Sequence, residues 1–441
     1  MKTLALSWRN LINRPLGMLL SVLLFALGVG LISLLLLLNN QLQEKFEKNL
    51  AGIDLVVGAK GSPLQLILCS MYHIDAPTGN ISIKDATPFL RPGHPLIAAA
   101  VPLSLGDNYR NFRIVGTNAD FLDLYQASMA EGQLFHEHFD VTIGADVARA
   151  LHLKIGDTFY SAHGLQHSED FTHETEKPFK VVGILQPTGS VIDQLILTTS
   201  PTIWLVHEHE GSGPAVDTSQ ISAADDHDHD HEAEDEHEQD TMVEHHDHGI
   251  YDQPLIDYPD KQITSLLLKF KNRSFQTLNM QRNINENTDL QAATPAIEIN
   301  RLFSMMGVGL DTLKILAWVI VFVSGFSIFI SLLGSLKDRK YELALMRVMG
   351  AGRGKLFMLI LFEGLLIAIL GYILGLALSH GSIEFLATKM QDAYRYSITG
   401  AVFLKEELWL LGGCLLVGLI SAIIPAWQAF RTDISETLSE G

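Results

Sequence analysis

The sequence predicts an α-helical membrane protein with four transmembrane helices and a large α+β extracytoplasmic domain inserted between helices 1 and 2. Three features point there. The 441 residues are 47% hydrophobic and only 18% charged, and the apolar residues gather in four long runs. Residues 39–314 separate the first run from the other three and alternate strand and helix signals. Basic residues crowd the short tail before the first run and the short loop between the second and third.

The four runs are Leu16–Leu38, Ile315–Leu336, Leu356–Ser379 and Leu408–Phe430. Each reaches the roughly 20 apolar residues that a bilayer core needs. The first is too long for a cleaved signal peptide, and Asn39-Asn40-Gln41 follows it in place of a small-residue cleavage site. It reads as an anchor. Lys2, Arg9 and Arg14 stand unopposed in the tail, and residues 337–355 carry six basic residues against Asp338 and Glu342. Both termini and the 337–355 loop are therefore expected on the cytoplasmic side, with 39–314 exported and 380–407 a small external loop. The organisation expected is 1–38 tail and helix 1, 39–314 exported domain, 315–430 membrane domain and 431–441 cytoplasmic tail. Gly364, Ala368, Gly371 and Gly375 on the third helix, and Cys414, Gly418 and Ala422 on the fourth, predict close helix packing. Glu363 lies inside the third span, where an acid is costly. It reads either as part of a proton or ion path or as a buried structural contact.

Within the exported domain, Ile53–Val57 reads as a strand and Ser62–Ser70 as a helix. Leu96–Leu105 and Tyr109–Val115 flank Gly106-Asp107-Asn108 as a hairpin. Val141–Ile143, Thr158–Ser161, Lys180–Leu185, Leu195–Thr199 and Thr264–Phe270 read as strands. Asp146–Leu153 and Ser274–Asn285 read as helices, and Ile297–Leu310 as a helix entering the second span. Residues 45–118 and 260–304 form a membrane-proximal part, with 119–259 inserted between them.

The net charge of −19 is local: residues 207–248 hold 15 of the 50 acids, no Lys or Arg and nine of the 18 histidines. What remains is close to neutral, which excludes a general nucleic-acid binder. Two cysteines, Cys69 and Cys414, exclude a disulfide framework. The loop 207–249 has too few apolar residues for a core and is expected to be disordered. Its His227, His229, His231, His237, His245, His246 and His248, interleaved with carboxylates, are candidate ligands for Zn²⁺ or a similar divalent ion in several weak sites. The competing reading is a solvated acidic loop. No cofactor is required by any other motif.

In the 337–355 loop, Tyr341, Leu345, Val348 and Met349 recur at helical spacing and make one apolar face, with Glu342 and Arg347 elsewhere on the turn. Such a helix, ended by Gly350, can lie in lipid headgroups or dock into a groove on a partner. Gly350–Lys355 is not a phosphate loop: Met349 occupies the position that needs Gly, and Leu356 follows the Lys. Catalytic residues are absent from the reading, and any ATP hydrolysis would belong to another chain.

The run Asp338-Arg339-Lys340-Tyr341-Glu342-Leu343-Ala344-Leu345-Met346-Arg347-Val348-Met349-Gly350-Ala351, together with Glu363-Gly364-Leu365-Leu366 and Ile424-Pro425-Ala426-Trp427-Gln428-Ala429, resembles the FtsX/MacB-like permeases of type VII ABC transporters. Trp427 departs from the Arg often found there. Ile143–Ala148 and Leu153–Asp157 look like the MacB-type periplasmic core. The resemblance spans nearly the whole chain except 207–255. It implies a permease homodimer, or a heterodimer with a similar permease, bound to a separate ABC ATPase in a bacterial inner membrane, with room for a periplasmic or outer-membrane partner. It also implies that the 337–355 helix couples ATPase motion to the exported domain by mechanotransmission. Tyr341, Glu342, Leu345, Arg347, Val348, Met349 and Gly350 would be the coupling residues. The alternative is a receptor that senses metal outside the cell and has no ATPase. A self-contained metal channel fits poorly, because the spans lack repeated His, Asp or Glu.

Overall fold

The computed structural model describes residues 3–12, 15–74, 76–163, 177–208, 254–393 and 398–431. The chain divides into two compact units, Met1–Glu47 with Asn300–Gly441, and Lys48–Ile299.

The chain opens with α1 (Thr3–Ile12) and α2 (Pro15–Asn49). Helix α2 runs past the apolar stretch because Gln, Glu and Lys, all good helix formers, follow it. The second unit begins with β1 (Leu55–Ala59), α3 (Pro63–Tyr72), β2 (Ile81–Ser82), α4 (Ile83–Leu90), β3 (Ile97–Tyr109) and β4 (Phe112–Thr117). Then come α5 (Asp120–Leu124), β5 (Met129–Gly132), β6 (Asp140–Ile143), α6 (Ala145–Leu151), β7 (Thr158–Phe159) and β8 (Ala162–His163). It continues through β9 (Phe179–Leu185), β10 (Leu195–Thr199), α7 (Ser200–Glu208), β11 (Gln262–Ile263), β12 (Ser265–Phe270), α8 (Phe275–Asn287) and β13 (Leu290–Ala293). The chain closes with α9 (Pro295–Asp338), α10 (Lys340–Val348), α11 (Arg353–Ala393) and α12 (Lys405–Arg431).

Eleven of the described strands share one sheet, whose main path is β13-β1-β12-β3-β4-β10-β6-β9-β5. Strand β8 adds to β3 and β7 to β9. Pairs β4–β10 and β6–β9 are parallel, and the remaining pairs of the sheet are antiparallel. The core is split along the sheet. Leu55, Val57, Leu266 and Leu268 pack with Ile83 and Trp204 on one half. Phe112, Ile114, Ile143, Val181 and Ile196 pack with Val147 and Ile203 on the other. Strands β1 and β12 are buried on both faces, and each reads in the sequence as a short continuous apolar run.

The hairpin forms, but its turn lies elsewhere than expected. Strand β3 continues through Gly106-Asp107-Asn108, where the ladder with β4 shifts register between Leu105 and Asn108. The reversal is made by Arg110 and Asn111, both with positive φ (45° and 68°). Two left-handed residues are what a tight two-residue hairpin turn requires, and a Gly inside a strand commonly marks a bulge. Helix α8 is capped by a reciprocal pair, Ser274 and Thr277, each side chain accepting from the other's backbone N–H.

Four helices are long and apolar enough to cross a membrane: Gly17–Asn49, Pro295–Asp338, Arg353–Thr388 and Lys405–Arg431. They match the four expected spans, with the α+β unit between the first and second. The small-residue stripe on α11 serves two neighbours. A Cβ on Gly364 would stand 2.7 Å from Ala422 Cβ on α12, and one on Gly418 would stand 2.7 Å from Ala368 Cβ. One on Gly375 would stand 2.9 Å from the Ala26 carbonyl oxygen on α2. Helices at this approach have no room for a side chain at the crossing.

Candidate functional site

Helix α10 is a short amphipathic helix between two spans. Asp338 ends α9, and Arg339 breaks the helical path with φ −115° and ψ 17°. Gly350 (φ 97°) ends the element, and its N–H bonds to the Arg347 carbonyl at 3.0 Å while that of Ala351 bonds to the Met346 carbonyl at 3.0 Å. Only Gly takes that conformation without strain.

The side chains of α10 divide into two sets. Leu343 (2% exposed) packs into a cluster with Leu336, Leu356, Leu359, Ile360, Ala426 and Ala429, and Ala344 beside it is buried. Tyr341, Glu342, Leu345, Val348, Met349 (72% exposed) and Gly350 face outward. Arg347 is half-buried. The residues that hold the helix in place, Leu343 and Ala344, are therefore different from the apolar face read from the sequence. Four exposed apolar side chains within about two turns of helix form a surface that water does not favour.

Beneath α10 lies a polar clasp. Glu363, 2% exposed, accepts from Asn10 Nδ2 at 2.9 Å and from Arg339 Nη1 at 3.3 Å. Arg339 also donates to Ser335 Oγ at 3.1 Å, and its Nε lies 3.5 Å from Glu342. Ser7 on α1 donates to the Leu359 carbonyl at 3.1 Å. Of the two readings of Glu363, the geometry matches the structural contact: the carboxylate ties α1, α11 and the α9–α10 junction together, and Arg339 joins it to α10.

A second polar knot at the far ends of α11 and α12 was not anticipated. Glu407 accepts from Ser33 Oγ at 2.9 Å, from His380 Nε2 at 3.0 Å and from the Leu404 N–H at 3.1 Å. Ser379 Oγ bonds to Ser33 Oγ at 3.0 Å, and Tyr372 OH donates to the Glu407 carbonyl at 3.1 Å. Gln41 bonds both ways to Thr399. These contacts lock α2, α11 and α12 at the end opposite α10.

The candidate metal ligands His227, His229, His231, His237, His245, His246 and His248 lie outside the described residues. Among the described residues no cluster of three or more His, Cys, Asp or Glu is arranged to hold a metal ion. In the α+β unit His73, with φ 53° at the C-terminus of α3, is buried, and neither ring nitrogen has a hydrogen-bond partner. Burial, reinforced by the Arg113 charge, lowers its pKa to about 3. Nothing in the one-dimensional pattern marks this histidine.

The four spans and the α+β unit between the first two make a multi-pass membrane protein with an extracytoplasmic domain. The FtsX-like permease C-terminal model matches residues 314–434, and the MacB-like periplasmic core domain model matches residues 18–239. The chain belongs to the FtsX/MacB-like family of ABC transporter permeases. No curated protein matches the sequence. The crystal structure of the extracellular domain of the noncanonic ABC-type transporter YknZ from Gram-positive bacteria is similar over 55% of this chain and 99% of that one, at 12% identity and a TM-score of 0.27.

Proposed function

We propose that this chain is the transmembrane subunit of an ABC system whose ATPase is a separate polypeptide, and that α10 is where that ATPase docks. The observation that carries the reading is the division of α10: Leu343 and Ala344 anchor it, while Tyr341, Leu345, Val348 and Met349 are left outward on a helix. A rigidly seated helix with an exposed apolar face is suited to a groove on a partner. The basic residues beside it favour the cytoplasmic side, where ATP is available. In this reading ATPase closure displaces α10, and the Arg339–Glu363 clasp passes the displacement to α1 and α11. Helices α2 and α9 contribute residues to both units, so they offer the path from the membrane to the extracytoplasmic domain. The work done there is mechanical, on an envelope substrate, in a permease dimer in the inner membrane. The test is to exchange Glu342 and Arg347 for Ala and quantify ATPase that co-purifies. Retention falls at least tenfold while membrane insertion is unchanged; undiminished retention contradicts the docking role.

The insertion at 207–249 is assigned a modifying role, the capture of Zn²⁺ by its seven named histidines. It rests on ligand chemistry alone.

A further inference from the structure

The extracytoplasmic unit contains a cleft of about 1310 Å³ whose wall includes Ile97–Ala100 and Pro102 of β3. Among the described residues this half of β3 pairs on one side only. Strand β12 covers Ile97–Leu103, whereas β4 first meets β3 at Ser104. The direction of the uncovered groups follows from the ladder. Leu268 turns its carbonyl to the Asp54 N–H, towards the β1 side. Antiparallel ladders alternate, so its partner Ala100 turns its own N–H and C=O away from β12. The same alternation sends the carbonyl of Pro102 into the cleft, while beyond Ala99 the ladder shifts register. Among the described residues no hydrogen bond closes them. Pro102 fits this assignment, since a proline is tolerated in a strand where its missing N–H faces no partner.

An open strand edge is normally blunted by charge, by a bulge or by a covering element. This one keeps the smallest side chains, Ala98, Ala99 and Ala100, beside open space, and Ala98 is exposed. The six residues Ile97–Pro102 offer about 20 Å of edge. The walls carry both signs, Arg91, Lys177 and Lys180 with Asp120, Glu137 and Asp140. That balance does not select a polyanion. The complement to the Ala100 N–H and C=O and the Pro102 carbonyl, set between mixed charges, is another extended polypeptide backbone.

We propose that the β3 edge takes an extended segment of a separate polypeptide, with small or apolar side chains and mixed charge, as an added strand. The proposal goes beyond the ATPase reading and stands independently of it.

The test uses the full chain in detergent, with a fluorescent, reduced and carboxymethylated polypeptide that has no fold of its own as the probe. It binds, and hydrogen exchange at residues 97–102 slows in the complex. Ala100→Pro removes one edge N–H while leaving the β12 ladder intact, and weakens binding at least tenfold. Should that variant fail to fold, the slowing of hydrogen exchange at residues 97–102 in the unaltered chain reads the same edge. Three results would overturn the proposal: no binding or no slowing of exchange at 97–102, binding that ignores a folded Ala100→Pro variant, or equal protection of 97–102 by anionic lipid vesicles alone.

Discussion

Arg339 is the residue on which the α10 end of the membrane unit depends. It stands 3.3 Å from a carboxylate that is almost wholly enclosed and also holds Ser335 and Glu342. Removing one partner of a buried ion pair strands the other charge, at a cost of about 3 kcal/mol or more. Arg339→Ala is therefore expected to lower the melting temperature of the purified chain, and Glu363→Gln, which keeps the hydrogen-bond geometry, to lower it less. Equal melting of Arg339→Ala and the parent would remove the clasp from the account. His73 gives a pH prediction. Its folded pKa of about 3 lies below the ordinary 6.5, so the unfolded chain binds more protons between these values. Its contribution to stability is complete above pH 6.5 and is lost as pH falls, by up to about 1.4 kcal/mol per pH unit. His73→Asn, which tolerates positive φ, flattens that dependence in melts between pH 7 and 5; an unaltered slope would show that His73 is not the group responsible. The sequence marks Glu363 as costly but does not give its partners, because Asn10 and Arg339 are brought to it only by helix packing. Glu407 is harder still to read: it sits just outside an apolar run, and its partner Ser33 is 374 residues away.

At the scale of elements, the spans and most strands were legible because their patterns are long and periodic. Strand Leu195–Thr199 has the predicted bounds, whereas β13 and α4 have too few residues to show a period. The hairpin was legible as a pair of strands and not as a turn, since Arg110-Asn111 carries none of the Gly that usually signals one. The apolar stripe of α10 was also visible in sequence, but its outward direction was not. Periodicity gives a face, and only packing says whether that face is covered. The small-residue stripes were visible as well, but not the sharing of the α11 stripe between α12 and α2. Gly418→Leu pushes a branched side chain into the Ala368 methyl and the Gly364 carbonyl. It is expected to cost about 2 kcal/mol, read as earlier detergent-induced unfolding. Full resistance to detergent would mean that the helices do not meet there.

Across the whole molecule, the order of apolar runs and the acidity of one insertion could be read directly, and both follow from composition. Deleting residues 223–249 is expected to leave the fold intact and to remove most Zn²⁺ binding in calorimetry at neutral pH. Full retention would place the metal elsewhere. Capture should weaken as pH falls, because protonated imidazoles cannot ligate and the flanking carboxylates favour that form. The division of labour between a membrane unit with an outward α10 and an extracytoplasmic sheet is the arrangement a transmitted mechanical stroke requires. In the proposed function the motor for that stroke is a separate ATPase. Purification with native partners, followed by mass spectrometry of the intact complex, tests that assignment most directly. The account predicts a phosphate-loop ATPase in fixed proportion to this chain, lost when Tyr341 and Leu345 are both changed to Ala. A complex with no nucleotide hydrolase, from cells in which the chain still performs its role, would contradict it.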